Sequence, residues 1–231
     1  MRIVGNNIAV FDSADLLSQM IQSSGRLDHD DGIAVHYVPH ITKGNVVIDA
    51  GAALGDHTIA YVRAAGDPKL VHAFEPNPKM VECLRHNVPG CHIHPVALSD
   101  EDGTMIFYPE KFNLGASMVF PYNNPKIYKY SFMKKISVPC ARLDSFIFDP
   151  ICFIKWDIEG SELRGLKGAR HTIDKHKPIM ILEVNGPVLD FQGTSSHELI
   201  SFLESDLGYK CTTILGDIPN TNRGELLCRP K

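Results

Sequence analysis

The segment VVIDAGAALGDHT at 46–58 constrains this chain more than any other. Val46 to Ala50 is a near-continuous apolar run, the pattern of a strand covered on both faces, and such strands belong to parallel sheets sandwiched between helices. Small residues follow at Gly51, Ala52, Ala53 and Gly55, which let the backbone turn tightly into a helix and approach a ligand closely. A strand, a small-residue loop and a helix in that order make the ligand-binding corner of a Rossmann-like unit.

The same alternation continues along the chain. LVHAFE (70–75) reads as a second strand, after which Asn77 stands at an N-cap with Pro78 at the first helical position. Met80, Val81, Leu84 and Val88 give that helix its apolar stripe, and HIHPVAL (92–98) reads as a third strand. ICFIKWD (151–157), a helix carrying Leu163, Leu166 and Ile173, and IMILEV (179–184) resume the pattern. Ser195 and Glu198 form a capping box for a later helix, and YKCTTIL (209–215) and ELLCRP (225–230) close as a hairpin-like pair. Asp56 is positioned to cap the first core helix. Upstream lie a short hairpin around Asn6-Asn7, a helix from about Asp15 and a mixed stretch at 28–44; residues 104–140 read as hairpins or a loop excursion. The expected fold is therefore α/β: a Rossmann-like, doubly wound, mostly parallel seven-stranded sheet with its last strand antiparallel. We expect one domain over 1–231, with an N-terminal cap at 1–44 and an insertion at about 104–140.

Composition narrows the partners. No apolar run approaches the roughly 20 residues of a membrane span, and the N-terminus lacks the apolar core of a secretory signal. A soluble, cytoplasmic protein is expected. Six cysteines without a CxxC pair suggest reduced, buried thiols. A net charge of −4 without a basic run argues against nucleic acid as a partner.

In open α/β sheets ligands bind at the carboxyl ends of the strands. Here those ends carry Asp49, Glu75, Asp157 and Glu183, with Ser99-Asp100 after the third strand. Glu75 lies 26 residues after Asp49, where an acceptor can bind both ribose hydroxyls. Two features disfavour a dinucleotide, and with it a nicotinamide-dependent oxidoreductase. The loop lacks the GxGxxG spacing, and Asp56 places a negative charge where a pyrophosphate would meet the helix. S-adenosylmethionine has a ribose and an adenine, no phosphate, and a sulfonium cation that tolerates carboxylates.

The boxes VVIDAGAALGDHT, FEPNP (74–78), ALSDEDG (97–103) and IKWDIEGSELRGLKGA (154–169) together resemble the FkbM-like family of class I S-adenosylmethionine-dependent methyltransferases. The resemblance implies O-methylation of a hydroxyl, commonly on a sugar, a glycan or a small secondary metabolite. It implies that Asp49, Gly51 and Gly55 surround the methionine portion, that Glu75 holds the ribose, and that Leu98 and Ser99 lie near the adenine. Ala52, Ala53, His57 and Thr58 of the same loop, with Pro76 and Asn77 beside Glu75, complete the expected cofactor site. At Ala53 members of the family usually carry asparagine, so a side-chain hydrogen bond is lost here.

The resemblance places Asp157 at the transferring methyl or the acceptor, as a base or an orienting group, with Glu159 or Glu183 assisting. Two other readings stay open: Asp157 binds the cofactor's amino group or caps a helix, and Glu159-Gly160 merely shapes a helix start. A non-catalytic, methyltransferase-like binding protein would carry the same residues. Asp157 and Glu183 could hold a divalent ion, although a structural carboxylate pair is the reading preferred and no metal is required. His92 and His94 share a strand face without a third ligand at metal spacing. The aromatic residues Phe107, Tyr108, Phe112, Phe120, Tyr122, Tyr128, Tyr130 and Phe132 suit either an acceptor surface or the core of a subdomain.

Overall fold

The computed structural model describes residues 1–11, 15–28, 31–109, 117–120, 135–214 and 223–231. The chain opens with a hairpin, β1 (Arg2–Val4) and β2 (Ile8–Val10), followed by α1 (Leu16–Ser24) and α2 (Asp31–His36). Asp15 caps α1 by accepting the Ser18 N–H at 2.9 Å, and Gly25 ends it in the left-handed region.

The core begins with β3 (Val46–Ala50), α3 (Thr58–Ala65), β4 (Val71–Phe74), α4 (Pro78–Asn87) and β5 (His92–His94). Asn77 caps α4 as expected, accepting the Lys79 N–H at 3.1 Å. Asp56 does not cap α3: the N-cap is His57, in helical conformation and without a side-chain bond. The third expected strand is divided. Pro95 lacks an N–H and ends the β5 ladder, and the chain crosses to β6 (Ala97–Leu98) in a different sheet.

That second sheet has four strands in the order β6-β9-β7-β8, with β7 (Gly103–Tyr108), β8 (Met118–Phe120) and β9 (Ile136–Ala141) running antiparallel to their neighbours within the insertion. Phe107 and Tyr108 are buried. Phe112, Tyr122, Tyr128, Tyr130, Phe132 and the side chain of Phe120 lie outside the described residues.

The core resumes with β10 (Ile151–Trp156), α5 (Glu162–Lys167), α6 (Arg170–His176), β11 (Ile179–Asn185), α7 (Gly186–Gln192), α8 (Ser196–Ser201), β12 (Tyr209–Thr213) and β13 (Arg223–Pro230). The single helix expected after β10 breaks at Gly168. A Cβ there would sit 1.9 Å from the Ser99 carbonyl oxygen, so this is where the loop after β6 crosses the helix backbone. The Ser195 cap of α8 forms as expected.

The large sheet has seven strands in the order β12-β13-β11-β10-β3-β4-β5. The contacts among β11, β10, β3, β4 and β5 are parallel, and β13 runs antiparallel between β11 and β12. The order reverses between β3 and β10, which opens a crevice at their carboxyl ends. Alternate strand residues feed two apolar layers. Ile48, Ile154, Trp156 and Leu182 meet Leu166, Ile173 and Leu199 on one face. Val47, Phe153 and Ile181 meet Tyr61 of α3 and Tyr37 of the N-terminal segment on the other. The N-terminal hairpin packs on α4, where the Asn87 amide bridges Ala9 and the Leu54 carbonyl. Among the described residues no helix is long and apolar enough to cross a membrane, and all six cysteines are free.

His92 and His94 are joined by His72, which the sequence pattern did not single out. Its ring stacks on both, and its Nδ1 lies 3.1 Å from His94 Nε2. Burial and the neighbouring imidazoles lower His72 and His94 from 6.5 to about 4. The unfolded chain takes up protons first, so the stability these rings contribute is present above pH 6.5 and is lost as the pH falls towards 4. His94→Phe keeps an aromatic ring in the stack and removes one titration. It should therefore flatten the fall in Tm between about pH 7 and about pH 4.5; a thermal-unfolding series with an unchanged slope would refute this.

Candidate active site

The crevice at the switch point holds a cleft that is partly open to solvent. Gly51 and Ala53, Glu75 and Pro76, Leu98, and Asp157 to Glu159 line it, and Phe107 and Val119 of the second sheet form part of its wall. The chain reverses at each strand end, so every polar side chain there is delivered by a turn.

Glu75 is set by two backbone bonds: Oε2 accepts the Ala53 N–H at 3.0 Å and Oε1 the Asn77 N–H at 2.7 Å. Burial pushes its carboxyl up to about 7 despite those donors. Each oxygen keeps a further lone pair, so the group can accept from a pair of ribose hydroxyls.

The two loop glycines also make close protein contacts. A Cβ on Gly51 (φ +87°) would lie 1.8 Å from the Asp157 carbonyl oxygen, so the residue lets the ends of β3 and β10 touch. A Cβ on Gly55 would lie 2.9 Å from Leu84, so that residue seats α4. Ala53 is left-handed at φ +47°, a conformation costing an L-residue about 1–2 kcal/mol and adopted most easily by Gly, Asn and Asp.

Several expected cofactor residues stand behind the cleft wall. Asp49 is buried, accepts the Thr58 hydroxyl at 2.6 Å, and is raised by burial to about 6. Ala52, Thr58, Asn77 and Ser99 are buried, and none of them lines the cleft. His57 is half-buried beside Asp56, its Nε2 3.7 Å from that carboxylate.

At the inner end Asp157, Glu159 and Glu183 each place a carboxylate oxygen within 4.8 Å of the others, a grouping that could hold a cation or share protons. A fixed positive charge already lies beside it. Lys155, fully buried on β10, reaches Asp157 Oδ2 at 3.3 Å and Glu225 Oε1 at 3.4 Å, its ammonium over the Tyr37 ring. The Tyr37 hydroxyl donates to Glu225. Burial pulls the Lys155 pKa down, but its anionic neighbours more than reverse this and keep it charged. Burial raises Asp157, but Lys155, together with His57 and a hydrogen bond from Glu183, more than offsets that and holds it below the usual carboxylate range. Burial and the Asp157 charge push Glu183 up to about 8 and Glu159 well above its ordinary value. Within the cluster ionisation is thus favoured at Asp157 and disfavoured at Glu159 and Glu183.

Lys155, Glu225, Tyr37 and Glu162 were not foreseen as site residues. Lys155 was detectable in principle, because a charge in the middle of ICFIKW contradicts a strand buried on both faces unless it has a partner. Tyr37 and Glu225 reach it from the distant ends of the chain and carry no local signal.

Among the described residues lining the cleft none bears a positive charge, while three are carboxylic acids. That set fits a ligand with ribose hydroxyls and a sulfonium, and it offers nothing to a pyrophosphate. The strand order, the antiparallel strand inside the sheet and this cleft define a class I methyltransferase fold, whose cofactor is S-adenosylmethionine. The family model described as the methyltransferase FkbM domain matches residues 49–211, and the chain belongs to the FkbM methyltransferase family. No curated protein matches it. The FkbM methyltransferase of Methylobacillus flagellatus KT superposes with a TM-score of 0.53 at 16% identity, over 95% of this chain and 56% of that one. The chain thus spans little more than half that protein's length. Magnesium protoporphyrin IX methyltransferase from Synechocystis PCC 6803 with bound SAM gives 0.46 at 12% identity, covering 94% and 84%. A SAM-dependent methyltransferase from Aquifex aeolicus gives 0.45 at 13%, covering 92% and 95%. At these identities the likeness is one of fold.

The strained backbone at Ala53 yields a stability prediction. Ala53→Asn places a residue tolerant of the left-handed region there and should raise the unfolding free energy by about 0.5–1 kcal/mol. Urea denaturation measures it, and a variant less stable than wild type would contradict the assignment of strain.

Proposed function

We propose that this chain transfers the methyl group of S-adenosylmethionine to a hydroxyl of a sugar, a glycan or a small secondary metabolite. The observation carrying this reading is geometric: at the inner end of the cleft Asp157, Glu159 and Glu183 bring carboxylate oxygens within 4.8 Å of one another, with Lys155 Nζ 3.3 Å from Asp157. Bound there, the cofactor supplies an electrophilic methyl on a sulfonium.

Glu75 would hold the ribose hydroxyls through the lone pairs its two backbone bonds leave free, and Leu98 would give the adenine an apolar wall. Asp157 would accept the hydrogen bond of the acceptor hydroxyl, aligning its oxygen for in-line attack. Its low basicity is no obstacle. As the new carbon–oxygen bond forms and the methyl–sulfur bond breaks, its electron pair leaving with S-adenosylhomocysteine, the hydroxyl proton would become far more acidic than a carboxylic acid and would pass to Asp157. Glu159 and Glu183, whose carboxyls burial and the Asp157 charge raise, would donate to further oxygens of a polyhydroxylated acceptor in their protonated forms, which favours a sugar over an isolated alcohol. The buried positive charge of Lys155 keeps the cluster's net charge small, so this scheme needs no divalent ion.

Asp157→Asn keeps the shape and removes the base. Release of S-adenosylhomocysteine in the presence of a pool of glycan and small-metabolite acceptors should fall by about 10²–10⁴-fold. Calorimetric affinity for the cofactor should change little. Near-normal turnover would eliminate Asp157 as the base.

A further inference from the structure

The turn that carries Glu159 is held in an unfavourable shape by a residue outside the cleft wall. Glu159 is left-handed at φ +52°, a region that side chains other than Gly, Asn and Asp seldom enter. On either side of it the Ile158 and Gly160 N–H groups both point to one atom, Glu162 Oε1, each at 3.1 Å. Glu162 is buried at the first position of α5, and burial raises its carboxyl to about 7. From the opposite side the Gln192 amide donates to the Glu159 carbonyl at 3.3 Å and to the Val119 carbonyl at 3.2 Å, tying the turn to the second sheet. Gly160 completes the clamp: a Cβ there would meet Val188 at 2.7 Å, so α7 presses directly on the turn.

We propose that Glu162 is a positioning residue, which fixes the 158–160 turn so that the Glu159 carboxyl faces Asp157 and Glu183 in the cleft. The role depends on an oxygen acceptor at one place, not on charge. An amide oxygen at the same position can still accept both N–H groups, although more weakly than a carboxylate. A purely electrostatic role would need the carboxylate, and a merely packing role would need only volume. The inference rests on the methyl-transfer reading for its consequence, but its geometry can be tested without turnover.

Three proteins suffice: wild type, Glu162→Gln and Glu162→Ala. Fluorescence of the sole tryptophan, Trp156, which is fully buried at the end of β10, reports whether each is folded. Amide hydrogen exchange then reads the Ile158 and Gly160 N–H groups directly. Expected is wild-type protection in Glu162→Gln and exchange faster by about tenfold or more in Glu162→Ala, as for amides that lose their acceptor. With the acceptor pool, kcat should stay within about threefold in Glu162→Gln and fall about a hundredfold in Glu162→Ala, while KM for the cofactor holds. The proposal is overturned if Glu162→Ala retains protection, if Glu162→Gln loses it, or if the loss in Glu162→Ala lies in KM. A wild-type protein inactive on every acceptor would defeat the methyl-transfer reading, while the exchange rates would still decide the role of Glu162.

Discussion

A single buried ammonium governs the architecture around the site. Lys155 sits on β10, in the middle of the seven-stranded sheet, with no access to water. An isolated charge there would be prohibitively costly, and removing one partner from a buried pair costs about 3–5 kcal/mol. The fold supplies Asp157 from the same strand end, Glu225 from β13, and the Tyr37 ring and hydroxyl from the N-terminal segment. Three separate parts of the chain are thereby held in register with the cleft. The arrangement also resolves an apparent conflict in the sheet, where Glu183 and Glu225 face each other across β11 and β13. Like charges directly opposite destabilise a ladder. Lys155 next to Glu225 and a retained proton on Glu183 remove the repulsion.

That proton distribution links packing to chemistry. Burial alone would neutralise all the acids of the cluster, so selecting one for ionisation requires a specific neighbour. Lys155 favours ionisation of Asp157, and the Asp157 charge adds to burial in raising Glu159 and Glu183. Glu75 is raised as well, but by a different balance: two backbone donors partly offset its burial, and no cation is involved. The Glu75 end of the cleft thus relies on backbone dipoles, and the Asp157 end on a full charge.

The sheet was legible in the sequence because both signals that specify it are local. Apolar runs such as VVIDA and IMILEV mark strands covered on both faces, and Asn77-Pro78 and Ser195 mark helix starts by their hydrogen-bonding chemistry. Boundaries failed where a tertiary contact overrode a local pattern. Gly168 lies at a helix break where the Ser99 carbonyl leaves no room for a Cβ, and the α3 N-cap falls on His57 rather than Asp56. In the site, the strand-end acids were visible as a recurrence, but their depth was not. Asp49 and Asp157 look alike in sequence, and only the folded chain shows one sealed against Thr58 and the other open to the cleft. The residues that tune Asp157 were hidden for a simpler reason: Tyr37 and Glu225 are 188 positions apart.

The place of β13 has a bearing on how the molecule is assembled. It follows β12 in the chain yet lies inside it, bonded on one side to β11 and on the other to β12. β12 has no sheet partner until β13 arrives, and neither does Lys155 have Glu225. β3, β4 and β10 all precede that strand in the chain. Until β13 pairs, Lys155 is short of one of its two carboxylate partners, so closing the sheet and neutralising the buried ammonium are one event.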